Sequence, residues 1–363
     1  MKSRFTLFFG IFIIMALSNA VVPVLPFLAE DSFQQGAIFS AYFLGAFLST
    51  LPGGILSDRF GQVPLLRLGL VISVASGVML LVFPDPFLIV ASRGLEGAGA
   101  GLFVAAGMSY VNSHSDHRKM SGYLMAMMNT GLVIGLIFSG WIATLMPFKY
   151  GGVLLFSGLA LLPALTSYLI IDLPHRSSGT NWNLVGNFIG EFRWLWYSSI
   201  VLIGATGVIS SLYPEFSAQP SDQVGLWIAS MSIATIGAVL VSSRIPVSPV
   251  RAIQVSALFM GVGILLSFFT PWSFILVGAI AGVVMIAQMN FLAQARDHQG
   301  TIMGLFSTCS YLGMAILPFM AGIIASSAGY SAAFFVTALF SLSVALTIGR
   351  KSNPDSHNEK ADV

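Results

Sequence analysis

Charge is what this 363-residue chain has least of. Asp, Glu, Lys and Arg together make up 8% of it, against about a quarter of an ordinary soluble domain. Hydrophobic residues reach 56% and mean hydropathy is +0.87. That scarcity excludes a soluble globular fold, and a net charge of +2 offers no basic surface for nucleic acid. Cysteine is nearly missing as well. A lone Cys309 in an apolar run excludes a disulfide framework or a cysteine metal site and reads as a small core hydrophobe. No His-Glu-x-x-His, Gly-x-Ser-x-Gly or phosphate-loop pattern occurs, and no paired intramembrane aspartates, so nothing points to an enzyme, a cofactor or a metal centre.

What is present is long apolar runs. A span of about 20 residues at about 1.5 Å rise crosses a 30 Å hydrocarbon core. Twelve runs qualify: 5–28, 36–56, 64–83, 87–111, 120–145, 149–171, 195–214, 223–242, 252–270, 273–293, 300–326 and 330–349. The start, Met1-Lys2-Ser3-Arg4 followed by apolar residues and Ser18-Asn19-Ala20, mimics a cleaved secretory signal, but the run continues to Leu28 and reads as the first span. With the N-terminus inside, fourteen of the 16 Lys and Arg fall at cytoplasmic ends or tails, Lys149 falls outside, and Arg93 lies within a span. Positive charge inside is the rule that sets orientation, so both termini read as cytoplasmic.

The longest polar segment separates six runs from six. The expected domains are an N-terminal six-helix bundle (1–171), a cytoplasmic linker (172–194), a C-terminal six-helix bundle (195–349) and a polar cytoplasmic tail (350–363). Residues 183–193 read either as a short amphipathic interfacial helix, with Trp194, Trp196 and Tyr197 as belt residues, or as an irregular tether. The halves look like one unit used twice: Gly122, Gly131 and Gly140 recur as Gly304, Gly313 and Gly322, each at an offset of 182. Close helix packing is the physical use of such glycines.

Between the second and third runs stands Gly53-Gly54-Ile55-Leu56-Ser57-Asp58-Arg59-Phe60-Gly61. The order Gly54, Asp58, Arg59, Gly61 resembles the loop signature of the major facilitator superfamily of secondary transporters. The resemblance implies an all-α integral membrane fold of twelve helices in two parallel six-helix repeats. It also implies that Asp58 and Arg59 gate the cytoplasmic side, Asp58 reaching the positive N-terminus of the eleventh span near Thr301. The alternative is that the pair only sets topology. Gln62, Val63 and Pro64 replace the basic residues usual in the family, with Arg67 the nearest substitute. A worn second copy, Val239 to Arg244, has Ser243 in place of the aspartate.

The fourth run holds Arg93 and Glu96, the ionisable residues clearly within a span. Arg93 lies roughly 9 Å and Glu96 roughly 14 Å below the outer boundary, three residues apart and so on one helix face. A mid-membrane charge costs about 2.5 to 3.5 kcal/mol even on the lenient scale, so both should face the bundle interior or a watery cavity. The stretch Arg93-Gly94-Leu95-Glu96 is similar to the family's fourth-helix motif, used for proton transfer in antiporters, with Glu96 where an amide is usual. Burial and a neighbouring guanidinium act on a carboxyl in opposite senses, which can bring Glu96 into a working range for proton exchange. A static neutralising pair is the other reading.

The first run ends Asn19-Ala20-Val21-Val22-Pro23-Val24-Leu25-Pro26, similar to the family's first-helix pattern of a polar residue four before a proline. Pro23 and Pro26 cannot donate to the carbonyls of Asn19 and Val22, so two free carbonyls and an amide are expected to face the cavity. Asn19 stands where many family antiporters carry an acid, and its bland reading is a helix-helix hydrogen bond. The antiporters' fifth-helix glycine-proline motif is altered here, with Leu136 at the proline position and Ser139 at a glycine position, although the eleventh run carries Leu317-Pro318. Further polar candidates for the cavity are Tyr42, Asn129, Tyr213, Gln288, Asn290 and Tyr311. Met120, Met125, Met127 and Met128 spread around their helix and read as packing, not as a soft-metal site. His114 and His117 fall in a solvated turn.

The resulting expectation is a proton-coupled exporter of small, mainly apolar compounds in the cell membrane, working by alternating access as a monomer. Its partners are the lipid bilayer, a small-molecule substrate and protons, with no nucleic acid and no cofactor. The alternative is an uncoupled facilitator or an importer, and a remote one is a non-transporting sensor or intramembrane enzyme.

Overall fold

The computed structural model describes residues 2–83, 85–112, 114, 116–145, 148–169, 182–245, 248–293 and 299–349. All regular structure within them is helical: α1 (Lys2–Ala20), α2 (Leu25–Leu28), α3 (Ser32–Phe60), α4 (Gln62–Val82), α5 (Pro86–Asn112), α6 (His117–Leu145), α7 (Gly151–Thr166), α8 (Trp182–Glu191), α9 (Arg193–Phe216), α10 (Ser221–Ser242), α11 (Pro249–Ser267), α12 (Ser273–Leu292), α13 (Gln299–Ala328) and α14 (Tyr330–Thr347). Hydrocarbon offers the backbone no water, so an apolar span must satisfy its own N–H and C=O groups, and a helix does so. Among the described residues eleven helices are long and apolar enough to cross a membrane, α1 and α2 counting as one span. α7 is shorter, at 16 residues. Its length of about 24 Å is extended by a 3-10 turn, Ser167–Leu169.

The helices pack in two groups. In the first, α3 and α4 flank α5, and α1 lies on α6 and α7; in the second, α9 lies on α13, α10 on α12, and α11 on α12 and α14. The broadest contacts between the groups are those of α3 with α13 and of α6 with α10. The repeated glycines occupy equivalent places in this arrangement. Gly131 lies against the α1 backbone at Phe12, and Gly313 against the α9 backbone at Ile200. Gly140 meets Ser221 of α10, and Gly322 meets Ser32 and Gly36 of α3, both across the seam. Gly122 and Gly304, at the opposite ends of their helices, have nothing within 4 Å of where a Cβ would stand. The seam is therefore closed at the end away from the chain termini, where the Ser32 hydroxyl also donates to Tyr330 across it at 2.8 Å. At Gly122 and Gly304, toward the end that carries the termini, the described residues make no such contact across it.

Two local expectations change. The carbonyl of Val22 is not free, because the 3-10 turn Val22–Val24 lets the Leu25 amide bond to it. Residues 183–191 are helical, in α8, and Arg193 begins α9, but Trp196 is no belt residue. It is 4% exposed, and its indole N–H donates to the Phe188 carbonyl at 2.9 Å, fastening α8 to α9.

Candidate functional site

Where the two groups face each other midway along the helices, they enclose a cavity of about 280 Å³. Its walls come from α1, α3 and α6 on one side and α9, α10, α12 and α13 on the other. Five methionines line it: Met15 and Met128 from the first group, and Met231, Met285 and Met314 from the second. Aromatic rings form one flank, with Phe43 5.1 Å from Phe39, 5.0 Å from Tyr42 and 6.4 Å from Tyr311 between centroids. Among the described residues none that lines it carries a charge.

The polar groups of the wall are largely committed as donors. Ser18, Thr206, Ser210 and Thr235 each give their hydroxyl proton to a carbonyl of their own helix. Asn19 Nδ2 donates to the Leu132 carbonyl of α6 at 3.1 Å. What these residues turn to a ligand is chiefly acceptor oxygen beside methionine sulfur.

Behind this wall lies a buried ion pair. Arg93 Nη1 donates to Glu96 Oε2 at 2.6 Å, with both side chains 2% exposed. Arg93 Nη2 donates to the Ser18 carbonyl at 3.2 Å, and the guanidinium lies 4.8 Å from the centre of the Tyr42 ring. α3 and α5 approach closely enough for this because Gly97 presents no Cβ to the Tyr42 backbone and Gly45 none to the Gly94 backbone. Satisfaction is incomplete: Glu96 Oε1 and Arg93 Nε are buried without a partner. A charge pair at this depth normally has its remaining lone pairs filled, and orphaned polar atoms are expected where a group exchanges partners or protons.

Comparison with known proteins gives this arrangement a context. The sequence model described as Major Facilitator Superfamily matches residues 7–318 and, in a second placement, 195–362. The chain belongs to that superfamily. This facilitator is 26% identical over 352 residues to the quinolone resistance protein NorA of Staphylococcus aureus (strain MSSA476), covering 88% of this chain and 89% of that one. It is 24% identical over 356 residues to multidrug resistance protein 2 of Bacillus subtilis (strain 168), covering 87% and 86%. Its fold matches a POT family transporter solved with 5-aminolevulinic acid (TM-score 0.77, 13% identity, 95% of both chains). It also matches the nucleoside transporter NupG (TM-score 0.75, 14% identity, 95% of this chain and 98% of that one). The protein is thus a multi-pass plasma-membrane transporter of small molecules and not an enzyme.

The facilitator's fold gathers some of the sequence candidates and scatters others. Asn19, Tyr42 and Tyr311 line the central cavity, with Arg93 and Glu96 behind it. Asn129 does not line it and donates to the Met125 carbonyl of its own helix at 2.8 Å. Tyr213 is packed on Phe274 and donates to Gln219. Gln288 is fully buried and donates to Ser198, tying α12 to α9. Asn290 lines a separate groove of about 290 Å³ with Arg251, between α10, α11 and α12. At the loop signature, Gly61 ends α3 with φ 92°, a conformation that disfavours a side chain. Gly54 faces open space, and the Arg59 guanidinium lies over the Phe60 ring at 5.4 Å. The side chains of Asp58 and Thr301, and with them the expected gate contact, lie outside the described residues.

Sequence reasoning missed Met15, Met231, Met285, Met314, Phe39, Phe43, Thr206 and Thr235 as wall residues. Thioethers, rings and hydroxyls are ordinary interior residues of membrane helices, so none of them stands out in a sequence as an intramembrane charge does.

Proposed function

We propose that this protein is a proton-coupled exporter of small, mainly apolar compounds. In this reading twelve helices span the bilayer with both termini cytoplasmic. Residues 1–171 and 195–349 are two six-helix halves that rock about the central cavity as a monomer, joined by 172–194 and followed by a cytoplasmic tail, 350–363. Arg93 and Glu96 couple protons. Gly54, Asp58, Arg59 and Gly61 form the cytoplasmic gate. Asn19, Tyr42 and Tyr311 contact substrate.

The observation that carries the reading is the cavity itself: uncharged, lined by five methionines and a flank of aromatic rings, and backed by a buried carboxylate with one unpartnered oxygen. Methionine side chains adapt to varied shapes. An uncharged wall gives no counter-ion to a highly charged substrate, while acceptor oxygens and ring faces suit apolar molecules bearing a donor group. Alternation is supported by the seam, in contact at Gly140 and Gly322 toward one end and without such contact among the described residues at Gly122 and Gly304 toward the other. Export follows the relatives, which are resistance proteins.

Asn19, an amide where many of the family's antiporters have an acid, favours a second reading as an uncoupled facilitator. Everted vesicles separate the two. With an imposed inward-acidic gradient, coupled export concentrates a lipophilic fluorescent quinolone in the vesicle and a protonophore releases it. Equilibration that ignores the gradient supports the facilitator.

A further inference from the structure

Asn290, expected from the sequence in the central cavity, stands instead at the mouth of the groove of about 290 Å³ between α10, α11 and α12. α10 and α11 each pack on α12 but make no broad contact with each other, so α12 is the floor of the groove and the other two are its walls. It opens between Ile245 and Val255, both half exposed. Exposed apolar side chains on a spanning helix meet lipid. Ala252, Val255, Val283, Ile286 and Ala287 make the length of the groove apolar, over roughly 10 Å of helical rise from Asn290 to Val283.

The mouth differs from the length. Arg251 lines it from the first turn of α11, and Arg244 stands just beyond the end of α10, both exposed. Neither guanidinium, nor the Asn290 amide, has a hydrogen-bond or ion-pair partner among the described residues. The N-terminus of α11 adds its own positive end, left without a side-chain cap by Ser248. No acid offsets these charges within the three helices: α11 and α12 contain no Asp or Glu, and Asp222 of α10 lies in the first turn, at the opposite end. Ser243, where the first copy of the loop signature has Asp58, only donates to the Leu240 carbonyl.

We propose that this groove binds one anionic phospholipid, in the leaflet at the end of the molecule that carries the chain termini. The phosphodiester accepts from the Arg251 guanidinium, whose planar fork suits it, and from the Asn290 amide, with Arg244 alongside. One acyl chain lies along Val255, Val283 and Ile286. A free phosphate would leave that apolar length unused, and a zwitterionic lipid would bring a cation up to the arginines. The site is independent of proton coupling.

Native mass spectrometry of the detergent-purified protein tests it, with phosphatidylglycerol and phosphatidylcholine of identical chains as probes. The first phosphatidylglycerol should bind about fivefold more tightly than phosphatidylcholine, the effect of one arginine near an anionic headgroup. Arg251→Gln should bring the two lipids to equal affinity, and Arg251→Lys should keep most of the preference. Val255→Trp, which fills the groove and keeps both arginines, should weaken phosphatidylglycerol binding by a similar factor. Arg193→Gln, at the same end but outside the groove, should change nothing. Equal binding of the two lipids to the unaltered protein overturns the proposal, as does a preference that survives Arg251→Gln. Equal loss in Arg193→Gln also overturns it, by showing general surface charge. Displacement of the lipid by millimolar inorganic phosphate overturns it too, because the site would then be one for the free anion.

Discussion

Arg93 and Glu96 neutralise each other in a place neither occupies cheaply alone. Removing one partner leaves an uncompensated buried charge, at a cost of about 3 to 5 kcal/mol, whereas replacing both by apolar residues of similar volume is often neutral. Arg93→Met is therefore expected to lower the unfolding midpoint in detergent by several degrees, with Arg93→Met/Glu96→Met recovering most of the loss but not proton-driven transport. A double variant as unstable as the single would show that the pair is not a closed electrostatic unit. These two residues were legible because an ionisable group in an apolar span announces itself. The methionines and hydroxyls of the cavity wall were not, and Asn129, Tyr213 and Gln288 show why polarity alone misleads. Asn129 and Tyr213 donate within their own helix or half, and Gln288 donates to Ser198 of its own half although its Oε1 is buried without a partner.

Along an element, position decides what a glycine does. Gly313 and Gly322 both lie on α13 and both meet backbone, one within its half and the other across the seam, while Gly304 meets nothing. Gly304→Leu is accordingly expected to leave folding and substrate affinity near those of the unaltered protein but to slow turnover at least tenfold, by blocking closure of the seam there. Gly322→Leu, which forces a side chain against α3, should instead disturb the seam seen here and raise accessibility of the cavity from the far side, read by cysteine labelling at Ser210→Cys. Unchanged turnover in Gly304→Leu would remove that glycine from the moving surface. The threefold glycine repeat was legible as an offset in the sequence. Which glycine faces the other half was not, because spacing along a helix fixes relative but not absolute rotation.

For the whole molecule, the all-helical membrane architecture was legible because hydrocarbon admits few backbone solutions. The state of the seam was not, since closed and open arrangements use the same helices. Ser32 and Tyr330 touch across the closed end at 2.8 Å. Tyr330→Phe, which removes that hydrogen bond and keeps the ring, should weaken the closed end and raise cysteine labelling at Ser210→Cys in a Cys309→Ala background. The most direct test of proton-coupled export is Glu96→Gln in proteoliposomes, measuring uphill quinolone transport under an imposed proton gradient beside gradient-free counterflow. The account predicts that uphill transport is lost while counterflow persists. Uphill accumulation by Glu96→Gln at the unaltered rate would contradict it.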